Sequence, residues 1–521
     1  MVPAVPGELL EPQRVHDVVI VGAGPVGLFL ACELGLAGCS VVVLEREAEP
    51  GSPWRAEPLG VRGLFAASLQ AFHRRGLLPP LLAASGVHDA PGPDLDADGP
   101  PPIRGGVGHF AGIVLDPTKV DLAALPFRLP SLAPDFTMTS LAAVETVLSE
   151  RASKLGVEIK RGVTVSGVAQ DDEGVVVRAG DDAYAARWVV GCDGGRSTVR
   201  RLAGFEFVGT EPRFTGYTVV ATLANPEVLR PGINLTPTGM YLRLRAEGHI
   251  GAMDFDGGAF DRSQPPTLDH LQTVLRRVSG TGVTLREVHR ASTFTDRAMQ
   301  TTTYRQGRVL LAGDAAHIHS PLGGQGLNTG LGDALNLGWK LAATVHGHAP
   351  DGLLDTYTRE RHLVGAQVLD WSRAQVAAMA PDRHGQAVQG VLRDLLGTQD
   401  GTTYAFGKLS GSSVRHDLGS EHPLVGRNAP DFRLGDGTYL ADLMHDGRGV
   451  VLDFGAGRRL RDAAADRRSL LRYAAGTAKD DLGLGAVLVR PDGVVAWVGA
   501  RGFDHKAFEQ AADRWFGNAG T

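Results

Sequence analysis

The sequence predicts an α/β protein: a Rossmann-type dinucleotide-binding unit interrupted by a separate sheet and followed by a third, smaller α/β unit. Three observations predict it. A β-branched run, Asp17–Val21, enters Gly22-Ala23-Gly24-Pro25-Val26-Gly27, then an apolar helical stretch to Leu36 and a second strand, Ser40–Leu44, closed by Glu45. A later strand, Gly307–Ala312, ends in Gly313-Asp314 and opens a glycine-rich loop and a helix to about Val345. Beyond residue 421, Gly449–Phe454, Ala486–Arg490 and Val494–Val498 form a strand pattern around a Pro491-Asp492-Gly493 turn.

The first segment carries nucleotide chemistry. Gly22 permits the tight turn, Gly24 lets backbone approach a pyrophosphate, and Gly27 lets helix and strand pack closely. The helix start offers free N–H groups to phosphates, and Glu45, 18 positions after Gly27, suits a ribose. The motif alone does not separate NAD from FAD. In the later segment Asp314 stands just past a strand end, where a carboxylate can hold ribityl or ribose hydroxyls. The helix beyond the loop turns its positive end toward the same place.

Composition narrows the class. With 43% hydrophobic residues among 521, the chain can bury a sizeable core, and its length suggests roughly three domains. The 69 glycines have no Gly-X-Y period and read as turns and close approaches. A net charge of −6 gives no general attraction to nucleic acid. Cys32, Cys39 and Cys192 are the only cysteines and form no CxxC pair, against a disulfide framework or a structural zinc site. The N-terminal MVPAVPGELLEPQR has no basic start and apolar core, so no secretory signal is expected. The most apolar stretch, Val18–Leu44, holds five glycines, Pro25 and Glu33, a poor membrane span. A cytoplasmic protein with no membrane and no nucleic-acid partner is expected, as monomer or homodimer.

A third glycine segment, Cys192-Asp193-Gly194-Gly195-Arg196-Ser197, follows the strand Arg187–Gly191. With GxGxxG, then Asp-Gly, then Gly-Asp in that order, the chain resembles the group A flavoprotein monooxygenases of the para-hydroxybenzoate hydroxylase fold. It is most similar to the FAD-dependent aromatic polyketide hydroxylases of antibiotic pathways, through GCDGGRSTVR, LAGDAAHIHSPLGGQGLNTG, DALNLGWKLAA and RPDGVVAWVG. The resemblance implies non-covalent FAD, with Gly22, Gly24, Gly27, Glu45 and Arg46 at its ADP half. Asp314 would serve the ribityl side and Gly326, Leu327 and Asn328 the isoalloxazine, with Gly313, Pro321 and Gly324 also binding the cofactor. Asp193 would support the flavin and touch the nicotinamide donor, NADPH or NADH. Arg55 and Arg62 match the family's arginine loop near the flavin. Two departures touch this environment: the stretch from Arg62 to Gly76 is longer than in these hydroxylases, and Leu141 stands where many members carry glutamine.

The resemblance divides the chain into a discontinuous FAD-binding domain, 1–203 and 296–397; an inserted mixed β-sheet substrate domain, 204–295; and a thioredoxin-like C-terminal domain, 421–521. The last contains no cysteine, so dithiol chemistry is excluded there. Residues 80–135, with PGPDLDADGPPP, read as a long loop by the site, and Val157–Val177 as a hairpin turning at DDEG. Tyr217–Ala221, Met240–Leu244 and Ile250–Phe255 read as strands of the inserted sheet. The long helices are expected to end near Gly397, before a polar link at 410–420.

The implied chemistry is hydroxylation of a polycyclic aromatic polyketide with O₂ by a flavin C4a-hydroperoxide. Baeyer–Villiger oxygenation of a polyketide ketone and a non-catalytic flavin-bearing binder are the alternatives. No protein side chain is assigned as catalytic. His317 and His319 are expected to brace their turn, and His249 and Met253 receive no role.

Overall fold

The structure, a computed structural model, describes residues 15–87, 107–243, 248–455, 457–502 and 505–517. Five parallel strands form the spine of an eight-stranded sheet, in the order Glu158–Arg161, Val41–Glu45, Val15–Val21, Asp182–Gly191, Val309–Leu311. Arg305–Gln306 adds an antiparallel edge, and the hairpin of Val165–Gln170 and Val175–Ala179 leans on Asp182–Gly191. Chain order reverses at Val15–Val21, which opens a crevice at the carboxyl ends of the strands, where open α/β sheets bind ligands. The central strands read as continuous apolar runs because both faces are covered. Apart from Glu33, the helix Pro25–Leu36 is apolar all round for the same reason, packed between helices Gln325–Val345 and Leu141–Lys154.

The inserted sheet has five strands, in the order Gly232–Thr236, Gly239–Arg243, His249–Asp254, Thr215–Leu223, Leu285–Thr295. Every pair is antiparallel, where a mixed sheet was expected. The first two strands are joined by only two residues, a link that an antiparallel pair alone can close. Period-two alternation gives this sheet two different faces. The outer face buries Tyr217, Val219, Tyr241, Ile250 and Ala252 beneath Leu271, Val274, Leu275 and Val278 of helix Leu268–Ser279. On the inner side Met240 and Met253 join Phe110, Phe214, Leu322, Val376 and Met379.

The C-terminal sheet runs Leu471–Ala475, Gly449–Asp453, Ala486–Val489, Val495–Gly499, its first pair parallel and the rest antiparallel. This is a thioredoxin-like arrangement, with helices Arg458–Ala465 and His505–Phe516. Leu471–Ala475 carries no strand pattern in the sequence because Arg472 interrupts its apolar run. The expected end of the helices near Gly397 is also corrected: Thr398 accepts a hydrogen bond from the Gly401 amide and starts a further helix, Gln399–Ser410. Of the long loop expected at 80–135, PGPDLDADGPPP lies outside the described residues. Its flanks carry the end of helix Leu78–Ala84 and a short hairpin, His109–Phe110 with Ile113–Val114.

Buried ion pairs tie the C-terminal unit to the nucleotide unit. Arg490 donates to Glu360 at 2.9 and 2.7 Å and to Asp492 at 2.5 Å, and Lys340 lies 3.1 Å from Glu360. Arg75 holds Glu33 at 2.7 Å and reaches the Met444 and Pro491 carbonyls. Charges this deep persist only when paired and hydrogen-bonded. Among the described residues, no helix is long and apolar enough to cross a membrane.

Candidate functional site

A cavity of about 490 Å³ occupies the crevice, within the usual range for small-molecule sites. Gly22 builds its floor with φ +105°; a Cβ there would lie 2.5 Å from the Cys192 carbonyl oxygen. Gly27 has no room either, since its Cβ would fall 2.0 Å from the Gly22 oxygen. Above Gly24 nothing lies within 4 Å, so a ligand can approach the backbone.

Two helix N-termini open here without a side-chain cap. Helix Pro25–Leu36 starts after extended Gly24, and helix Gln325–Val345 starts after left-handed Gly324 at φ +66°. Their first-turn N–H groups and positive dipole ends suit phosphates and developing negative charge. A third helix, Thr198–Leu202, is closed by protein. Asp193 accepts from Ser197 Oγ at 2.5 Å, Thr198 N at 2.6 Å and Val199 N at 3.1 Å.

The carboxylates around the cavity differ in how far protein donors occupy them. Glu45 accepts from Ala23 N at 2.7 Å and Glu47 N at 3.0 Å, holding the glycine turn against the second strand. Asp314, by contrast, makes no hydrogen bond or ion pair among the described residues, although it lines the cavity at a strand end. It is ready to accept from a ligand hydroxyl. Arg62 lines the same space and donates to the Leu59 and Val61 carbonyls. Arg55 pairs with Glu145 at 3.1 Å; burial raises the Glu145 carboxyl and Arg55 opposes that shift.

Of the residues predicted for the site, Gly22, Gly24, Glu45, Arg46, Arg55, Arg62, Asp193, Asp314, Pro321, Gly324, Gly326 and Leu327 line this one cavity. Gly27, Gly313 and Asn328 stand behind its wall. The Gly313 amide donates to Asp333, which also accepts from His317 Nε2 at 2.7 Å and Arg361 at 2.8 Å. Burial alone would raise Asp333, but Arg361 and His317 hold it below the usual carboxylate range. Asn328 accepts from Phe65 N and Ser68 Oγ and donates to the Gly63 and Gly324 carbonyls, so it shapes the loop through backbone.

His317 is fully buried in the Asp333 pair. His319 instead reaches the cavity: its Nδ1 donates to the Ser320 carbonyl at 2.7 Å, which leaves a buried Nε2 without a partner among the described residues. Burial lowers its pKa, so the ring is neutral at pH 7. Leu141, Val163, Thr164, Arg196 and Thr198 also line the cavity. Arg196 and Thr198 belong to the GCDGGRSTVR segment but received no role from it, whereas Val163 and Thr164 belong to no motif and only the folded chain gathers them.

The residues fit an extended dinucleotide. The glycine turn has room for a pyrophosphate, Glu45 and Asp314 stand at two strand ends to meet hydroxyls, and the uncapped helix Gln325–Val345 faces the far end. The fold and this site define a flavin-dinucleotide enzyme. Comparison with known proteins carries this further. The family model for the FAD binding domain matches residues 15–372, and that for the aromatic-ring hydroxylase C-terminal region matches 422–519. The chain belongs to this family of FAD-dependent monooxygenases. A Claviceps purpurea protein described as a monooxygenase is 45% identical, with 96% of this chain and 97% of that protein covered. Rifampicin monooxygenase of Streptomyces venezuelae is 39% identical over 97% of this chain and 99% of its own length. Among solved structures, the OxyS anhydrotetracycline hydroxylase from Streptomyces rimosus superposes with a TM-score of 0.83 at 35% identity, covering 97% of this chain and 100% of that one.

Proposed function

We propose that this chain hydroxylates a polycyclic aromatic polyketide in an antibiotic pathway, with NADPH as electron donor and O₂ as oxygen source. One observation carries the substrate class. The inner face of the inserted sheet, turned toward the Pro321–Leu322 loop, is an apolar cluster of Phe110, Phe214, Phe294, Trp371, Met240 and Met253. Flat aromatic and thioether surfaces of this kind suit a fused ring system. Relatives named for rifampicin and anhydrotetracycline support the same reading.

Bound FAD supplies the activation of O₂ and its transfer to the ring. The chain's own residues bind, orient and exclude water. The Gly22–Gly27 turn and the uncapped helix start hold the pyrophosphate, Glu45 the adenosine ribose, and Asp314 the ribityl hydroxyls. Helix Gln325–Val345 stabilises negative charge at its N-terminus, and Asp193 acts by bracing the turn that lines the cavity. The sheet's inner face covers the ring and keeps water away. Domain limits of 1–203 with 296–397, 204–295 and 421–521, a cytoplasmic location and a monomer or homodimer belong to the same proposal.

The test is turnover. Yellow, FAD-loaded protein is expected to oxidise NADPH faster when given tetracyclic or angular hydroxyquinones, and to place one atom of labelled O₂ in a new phenol. A lactone product would establish Baeyer–Villiger oxygenation instead. Turnover without oxygen incorporation would overturn the reading.

A further inference from the structure

Resting on the proposed function, we propose that His249 is a substrate-recognition residue: its imidazole hydrogen-bonds an oxygen substituent, hydroxyl or carbonyl, on the edge of the polycycle. His249 opens the strand His249–Asp254. Along that strand Ile250 and Ala252 pack under helix Leu268–Ser279, whereas Met253 belongs to the inner cluster. With period two, His249 shares Met253's side and faces the aromatic wall. It is buried, and its Nδ1 has no hydrogen-bond partner among the described residues. Buried polar atoms are almost always satisfied in native proteins, so an orphan on the face proposed to meet the substrate marks where a ligand atom belongs.

Arg62 joins this histidine to the cofactor cavity. It lines the cavity that Asp314 lines, and its charge acts on His249. Burial first, and Arg62 second, keep the imidazole neutral, with one nitrogen to donate and one to accept. A neutral imidazole suits either a phenol or a quinone oxygen. The apolar cluster recognises the rings; His249 would set which edge points inward, and so which carbon meets the flavin.

The experiment compares His249→Leu and His249→Asn in FAD-loaded protein, using anhydrotetracycline, 1-hydroxyanthraquinone and anthracene as probes. Binding is read by probe fluorescence, turnover by NADPH oxidation coupled to product. The leucine variant is expected to bind the two oxygenated probes about tenfold more weakly or worse, and to divert NADPH oxidation to hydrogen peroxide. Its FAD content and anthracene binding should match the parent. Asparagine, which can place a polar atom near the Nδ1 position, should restore binding to within about threefold. Unchanged binding and coupling in the leucine variant would overturn the inference. So would equal failure of both variants with a lowered melting temperature, which would make His249 a packing residue. A parent that binds none of the probes would overturn the polycycle reading itself.

Discussion

Replacing Asp314 with Ala separates ligand binding from folding with little ambiguity. In the protein alone its carboxylate makes no hydrogen bond or ion pair among the described residues, and Arg62 and His319 interact with it only through charge. Its loss should therefore shift apoprotein stability by no more than about 0.5 kcal/mol, as for other substitutions away from packed or paired groups. The bound state differs. A hydrogen bond to a charged acceptor contributes about 1.5–3 kcal/mol, so FAD should bind about ten- to a hundredfold more weakly. Asp193→Ala is the control with opposite signature. That carboxylate satisfies Ser197, Thr198 and Val199 at a helix start, so its removal should destabilise the apoprotein by about 0.5–2 kcal/mol. Apoprotein titrated with FAD under flavin-fluorescence quenching, beside thermal melts, reads both quantities. An Asp314→Ala variant that retains parental FAD affinity would refute the argument, as would one whose apoprotein melts well below the parent.

Gly27→Ala puts a Cβ 2.0 Å from the Gly22 oxygen, so the turn must open; FAD loading on purification should collapse, as the ratio of flavin to protein absorbance would reveal. His317 and His319 should behave differently. His317→Ala removes a fully buried hydrogen bond to Asp333, which keeps Arg361 and the Gly313 amide, and should cost about 1–3 kcal/mol by denaturant titration. His319→Ala should fold normally and keep coupled oxygenation within about tenfold, a barrier change near 1.4 kcal/mol; a thousandfold loss with FAD intact would make it a proton donor. His416 is pushed down to about 4 by burial, then by Arg361 and Arg490, against an ordinary 6.5. Between those values the unfolded chain takes up a proton that the native one refuses, so stability falls as pH drops from 6.5 to 4. The loss reaches about 3 kcal/mol from this group, and His416→Gln should flatten that part of the stability curve.

The cofactor half of the molecule was legible in the sequence because its chemistry is local. A strand running into GxGxxG, an acid closing the next strand, and Gly-Asp before a glycine loop each state their geometry within a few residues. Gly22 and Gly27 show why: their neighbours exclude any Cβ. Motif spacing could not tell an occupied carboxylate from a free one. Asp193 and Asp314 look alike as Asp beside Gly, yet one caps a helix and the other stands open. Asn328 and Gly313 sit inside the motif but act from behind the wall.

What the sequence by itself determined is the nucleotide fold, its order of motifs and the absence of cysteine chemistry in the C-terminal unit. These follow from contiguous residues, where backbone sterics and periodicity act directly. Only the tertiary structure decided the rest: the antiparallel pairing of the inserted sheet, the ion pairs that lock Arg490 to Glu360 across the two units, and the inward side of His249. Each depends on which distant segments meet. A strand's two faces are equivalent until packing chooses one. Helix Leu268–Ser279 covers the face of Ile250 and Ala252, and that choice turns His249 toward the aromatic wall and Arg62.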